Sequence, residues 1–133
     1  MNVDESKHRE KHISGTADIA QIMLNILWRQ NRLHRKKEYF WTIGLNIGND
    51  IEYIELVTIG TSNRNILKPV EVLSMPVSKN CKKIILCHNH PSGKLEPSEA
   101  DLEFTEKMKL AAALMEIEVL DHIIITEMNY VTI

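Results

Sequence analysis

His88 and His90 stand one residue apart at the end of the apolar run Lys83-Ile84-Ile85-Leu86-Cys87, and Asp101 follows beyond a Pro/Gly loop. The run is short, rich in β-branched residues and closed by Pro91-Ser92-Gly93, so it predicts a buried strand. Side chains two apart on a strand face the same way. Both imidazoles can therefore aim at one point if strand geometry persists to the last residue. Pro97-Ser98 opens a helical pattern whose first turn carries Asp101. Two neutral imidazoles and a carboxylate are the ligand set of a catalytic zinc, with the fourth position left for water. The expectation is one Zn²⁺ per chain on His88, His90 and Asp101, at about 2.0–2.2 Å from its N and O donors.

Each piece also has an ordinary reading. Ser98-Glu99-Ala100-Asp101 fits the S-x-x-[DE] capping box, in which Ser98 is an N-cap and Asp101 its partner. His-x-His alone is weak. Joined in order with two prolines and a glycine, the pieces become far more specific. The letters His88-Asn89-His90 are three adjacent residues, unlike the dispersed pattern of an H-N-H nuclease. No H-x-E with P-C-x-x-C follows, so the zinc deaminase signature is absent.

The stretch resembles the JAMM metalloprotease pattern H-x-H-P-x6-S-x2-D. As His88-Asn89-His90-Pro91-Ser92-Gly93 with Pro97-Ser98-x-x-Asp101 it is similar to the RadC branch of that superfamily. The likeness extends through Thr105 and Ile117-Glu118-Val119-Leu120-Asp121-His122-Ile123-Ile124-Ile125 and covers roughly residues 18 to 133. It implies a zinc-dependent hydrolase that cleaves a peptide or isopeptide bond through a metal-activated water. In JAMM enzymes a glutamate opening an early strand serves as the base. Glu38, before Tyr39-Phe40-Trp41, occupies the matching place; the other reading pairs it with the neighbouring Lys and Arg residues. A base is needed to take the water's proton and return it to the leaving amine. Ser98 is expected to steady the tetrahedral intermediate, and the same oxygen can cap the helix. The Asp121-His122 pair lies outside the metal motif and reads as structural, with a hydrogen bond to a ligand left open. The RadC name also implies an alternative, association with DNA repair or recombination without protease activity. Longer relatives carry a helix-hairpin-helix module that would be the DNA binder.

These residues need elements to hold them. Residues 1–15 read as a mobile arm, in which His8 and His12 are taken as solvated. A helix is expected from Thr16 or Asp18, with Ile19, Ile22, Met23, Ile26, Leu27 and Leu33 on one stripe and a basic far end, Arg29, Arg32, Arg35, Lys36 and Lys37. That basic end suits a helix dipole, or alternatively a phosphate. Glu38–Leu45 and Ile51–Ile59 read as a hairpin around Asn46–Asp50. Gly60–Lys68 reads as a polar loop. Pro69 starts a short helix that Pro76 should kink or end. After the motif, a helix from Ser98 to about Met115 should bury Leu102, Thr105, Met108 or Lys109, Ala112 and Leu114 or Met115. A strand over Glu118–Thr126 and a final fragment, expected to be incomplete, close the chain. The fold class is α/β: a mixed sheet flanked by helices, in the JAMM/MPN (cytidine-deaminase-like) architecture.

The 133 residues suffice for one domain, spanning 16–133 after the arm, and 44% hydrophobic with 26% charged residues is ordinary for a soluble protein. A net charge of −2 supplies no general field for phosphates, so tight binding of nucleic acid is not expected. Cys81 and Cys87 form no disulfide framework, which suits a reducing cytoplasm. Cys87 should face away from His88. No apolar stretch reaches membrane-spanning length. The expected partners are a peptide or protein substrate and one zinc ion; a homodimer is left open.

Overall fold

The computed structural model of the chain describes residues 12–60 and 67–133. Five strands, β1 (Tyr39–Leu45), β2 (Ile51–Ile59), β3 (Lys83–Asn89), β4 (Glu118–Ile125) and β5 (Tyr130–Thr132), form one mixed sheet in the order β2-β1-β3-β4-β5. β3 is central, antiparallel to β1 and parallel to β4. The parallel step is bridged by helix α3 (Glu99–Leu114), and β1–β2 is the expected hairpin. The hairpin turn is tied by Asn46, whose side chain accepts the Asp50 N–H at 2.9 Å.

Alternation along β1, β3 and β4 divides the core between the two faces of the sheet. One face packs Trp41, Ile43, Leu45, Ile85, Cys87, Ile123 and Ile125 against helix α1 (Thr16–Trp28). The other packs Phe40, Ile84 and Leu86 against Phe104 and Met108 of α3 and Val72 and Leu73 of helix α2 (Pro69–Ser78). Cys87 is thus buried on the α1 side, and burial pushes its thiol well above the usual range. Among the described residues no helix is long and apolar enough to cross a membrane.

Four expectations need correction. The first helix does not reach Lys37; it ends at Trp28. Asn31 then accepts the His34 N–H and starts a separate 3₁₀ turn, His34–Lys36, so Leu33 is exposed and the basic run is not a helix end. α2 runs past Pro76 to Ser78, because a proline two residues from the end removes little of the ladder. On α3 Thr105, Met108 and Ala112 are buried as expected, joined by Asp101 and Phe104, but Leu102, Leu114 and Met115 are exposed. Turning Asp101 inward sets that phase. Lastly, residues 12–15 are not wholly in a free arm: Ile13 is buried in the α1-side core and donates its N–H to Asn49. His12 bonds Asp50, and His8 lies outside the described residues, as do residues 61–66 of the expected Gly60–Lys68 loop.

Gly44 on β1 lies against Tyr53 on β2, and a Cβ there would stand 1.9 Å from Tyr53 Cε1. The Tyr53 ring is itself buried and cannot swing out. Gly44→Ala should therefore lower the unfolding free energy by about 1–3 kcal/mol, the usual scale of overpacking. Urea denaturation measures it; an unchanged midpoint would refute the tight ring contact.

Candidate metal centre

The centre is built where β3 ends and α3 begins. His88 lies on β3, facing the α3 side with Ile84 and Leu86. His90 is just past the strand, but its N–H still bonds the Ile125 carbonyl of β4, so strand direction persists through it. Pro91 and Ser92 then turn the chain, with the Gly93 N–H returning to the His90 carbonyl at 3.1 Å and Gly93 at φ 85°. The turn places the Lys94 carbonyl 2.9 Å from His90 Nδ1. Ser98 caps α3 by accepting the Asp101 N–H at 3.0 Å, and Asp101 Oδ2 accepts the Ser98 N–H at 3.0 Å. The same carboxylate faces both imidazoles.

The donor atoms converge. His88 Nε2 and His90 Nε2 are 3.0 Å apart, His88 Nε2 is 3.3 Å from Asp101 Oδ1, and His90 Nε2 is 3.1 Å from Asp101 Oδ2. Donors on a tetrahedral zinc at about 2.0–2.1 Å lie roughly 3.3 Å from one another, so these spacings fit such an ion. The protons fit as well. A carbonyl only accepts, so His90 Nδ1 carries hydrogen toward Lys94 and Nε2 presents a lone pair. Lone pairs and a carboxylate crowded together call for a cation between them. Without one, the Asp101 carboxylate draws a proton onto His90, whose pKa is raised chiefly by that hydrogen bond. Burial works to raise the Asp101 pKa, but the His88 and His90 imidazoles beside it outweigh burial and hold the carboxyl far below its ordinary value. His88 and Asp101 are buried, and His90 is partly open to solvent. The trio could hold a metal ion.

Glu38 and Ser98 line the same cleft as His90 and Asp101, a space of about 560 Å³. Glu38 immediately precedes β1, and its carboxylate acts on His90, contributing to the raised pKa. Its backbone is held by Asn89, the residue between the two histidines. Asn89 accepts the Tyr39 N–H at 2.6 Å and donates to the Lys37 carbonyl at 2.9 Å, so it grips the chain on both sides of Glu38. The sequence reading missed Asn89, though a strand-end amide beside a strand start was the available signal. The hydrogen bond to a ligand left open for the Asp121-His122 pair is present at His122, whose Nε2 lies 2.7 Å from His88 Nδ1. Asp121 points the other way and accepts the Thr16 hydroxyl at α1. Of the basic run, Arg35 stacks on Trp28 and pairs with Glu127, while Arg29, Arg32, Lys36 and Lys37 are exposed.

Because the Ser98 oxygen caps α3, Ser98→Ala should cost about 0.5–2 kcal/mol of stability. The Ser98 N–H that steadies Asp101 is backbone and survives, so metal stoichiometry should not change. Thermal unfolding and elemental analysis test the pair of outcomes; loss of metal with unchanged stability would reverse the assignment.

The chain is similar to known proteins over most of its length. The chain is 38% identical over 120 residues to a UPF0758 protein of Chlorobium phaeovibrioides, covering 90% of this chain and 51% of that one. It is 37% identical over 123 residues to a UPF0758 protein of Clostridium botulinum, covering 92% of this chain and 52% of the relative. The chain thus spans about half the length of the curated relatives it matches. The family pattern described as RadC-like JAB domain matches residues 13–133, a stretch that contains β1 to β5, α1 to α3 and the His88-His90-Asp101 centre. This chain belongs to the RadC-like JAB domain family.

Proposed function

We propose that the chain carries a zinc-dependent hydrolase site of the JAMM type, cleaving a peptide or isopeptide bond with an activated water. The observation that supports it is the convergence of His88 Nε2, His90 Nε2 and the Asp101 carboxylate on the wall of a cleft that Glu38 also lines. Two imidazole nitrogens and a carboxylate suit zinc, and three protein donors leave one coordination place open. Zinc supplies Lewis-acid polarisation of a carbonyl and lowers the pKa of water to about 7.

The remaining work falls to the chain's own groups. Glu38 takes a proton from the attacking water and delivers it to the departing amine, a role that requires hydrogen-bond reach of about 2.6–3.2 Å in the substrate complex. Asn89 fixes the backbone on either side of that base. The Ser98 hydroxyl accepts the Asp101 N–H, which leaves its own hydrogen to steady a developing oxyanion at the cleft's edge. The cysteines, both buried and unlinked, are compatible with a reducing, cytoplasmic setting.

The test uses zinc-loaded protein and a library of linear and isopeptide-linked peptides read by mass spectrometry. Glu38→Gln should retain one zinc per chain and the native fold while losing roughly 10²–10⁴ in cleavage rate. Asp101→Asn should lose the metal and the activity together. Fully loaded wild-type protein that cleaves nothing, or Glu38→Gln at the wild-type rate, would overturn the reading.

A further inference from the structure

Behind the centre runs a chain of short hydrogen bonds that the hydrolase reading does not use. His88 Nδ1 lies 2.7 Å from His122 Nε2, His122 Nδ1 lies 2.6 Å from Thr105 Oγ1, and Thr105 Oγ1 lies 2.7 Å from the Asp101 carbonyl. His88, His122 and Thr105 are each at most 1% exposed. Phe40 packs edge-on against His122 and Phe104, and flat against His88, which keeps the chain within an aromatic enclosure. Water is not a ready substitute partner in such surroundings.

The hydrogen positions follow from the far end. A backbone carbonyl only accepts, so the Thr105 hydroxyl spends its one hydrogen on Asp101 and presents a lone pair to His122. His122 must then carry hydrogen on Nδ1 and a lone pair on Nε2. That lone pair obliges His88 to carry hydrogen on Nδ1, which leaves His88 Nε2 bare and aimed at Asp101 and His90. Every bond in the chain donates in the same direction.

We infer that Thr105 and His122 are positioning residues that fix the tautomer and ring orientation of the ligand His88, and so set the affinity of the centre for its metal. The inference rests on the metal reading above, but concerns residues that touch no ion. A threonine hydroxyl on α3 thus decides which nitrogen of a histidine on β3 is able to bind. Without that hydroxyl, His122 loses the acceptor that fixes its Nδ1–H form. In the opposite form its Nε2–H would face His88 Nδ1, and His88 could keep its bond only by moving its hydrogen to Nε2, the metal-binding atom.

The experiment measures zinc affinity by competition with a chromophoric chelator, with histidine ¹⁵N NMR of the zinc-loaded protein. Thr105→Val, nearly isosteric, should weaken zinc binding by about 10–100-fold, the usual effect of losing a partner of a ligating histidine. Thr105→Ser, which keeps the hydroxyl, should stay near the wild-type value. His122→Phe should weaken binding similarly, and adding Thr105→Val to it should do little more, because both act on one chain of bonds. In loaded wild-type protein His122 should be the neutral Nδ1–H tautomer. A His122 Nε2–H form, or a folded Thr105→Val protein with wild-type affinity, would overturn the inference. Wild-type protein that binds no zinc would instead overturn the metal reading, so the two failures are told apart.

Discussion

Strand β3 is hydrogen-bonded on both sides, and its register against each neighbour puts a different group beside the histidines. Antiparallel pairing of Phe40 with His88 brings the start of β1 level with the end of β3, and Glu38 with it. Parallel pairing of Leu86 with His122 and of His88 with Ile124 brings His122 alongside His88. A slip of one residue in either ladder would send these side chains to the opposite face. The apolar residues of the same strands resist that slip, since Ile85 and Cys87 are committed to the α1 side and Ile84 and Leu86 to the α3 side. The core thus specifies the register, and the register assembles the site.

What the sequence disclosed, and what it did not, follows the range of the interactions involved. The His88-x-His90 pair and the capping box of Ser98 and Asp101 are local, and period-two and helix-start patterns suffice to read them. The hairpin bounds at Ile51 and Ile59 were legible for the same reason. The link from His122 to His88 joins residues 34 apart in sequence, and no periodicity encodes it. Asn89 gripping Lys37 and Tyr39 is likewise a product of strand pairing. The end of α1 was misread because Leu33 happens to continue the apolar spacing. Stacking of Arg35 on Trp28 and the Asn31 cap, both short-range yet dependent on side-chain placement, draw the chain out of the helix there.

The α3 face shows how a polar site can direct apolar packing. Apolar spacing alone favoured Leu102 and Leu114 or Met115 inside, along with Thr105, Met108 or Lys109 and Ala112. Asp101 is inside instead, compensated by the capping box and by both imidazoles. With Asp101 fixed, Thr105, Met108 and Ala112 follow inward at helical spacing, and Thr105 meets His122. Buried polar groups are tolerable only when fully partnered, and here each bond satisfies the next residue's requirement.

Asp101 Oδ2 serves two masters, accepting the Ser98 N–H that closes the first turn of α3 and facing His90 across the centre. The opening turn of the helix and the donor cluster are therefore a single cooperative unit. An ion bound by the native centre and not by the unfolded chain adds stability by mass action, about 2.7 kcal/mol at a hundredfold excess over its Kd. Part of that increment is felt at backbone amides that touch no ion. With an ion held there, the helix start and the loop from Pro91 to Pro97 would form a region whose local unfolding follows metal supply, and the concentration of that ion would set how often this rim of the cleft opens.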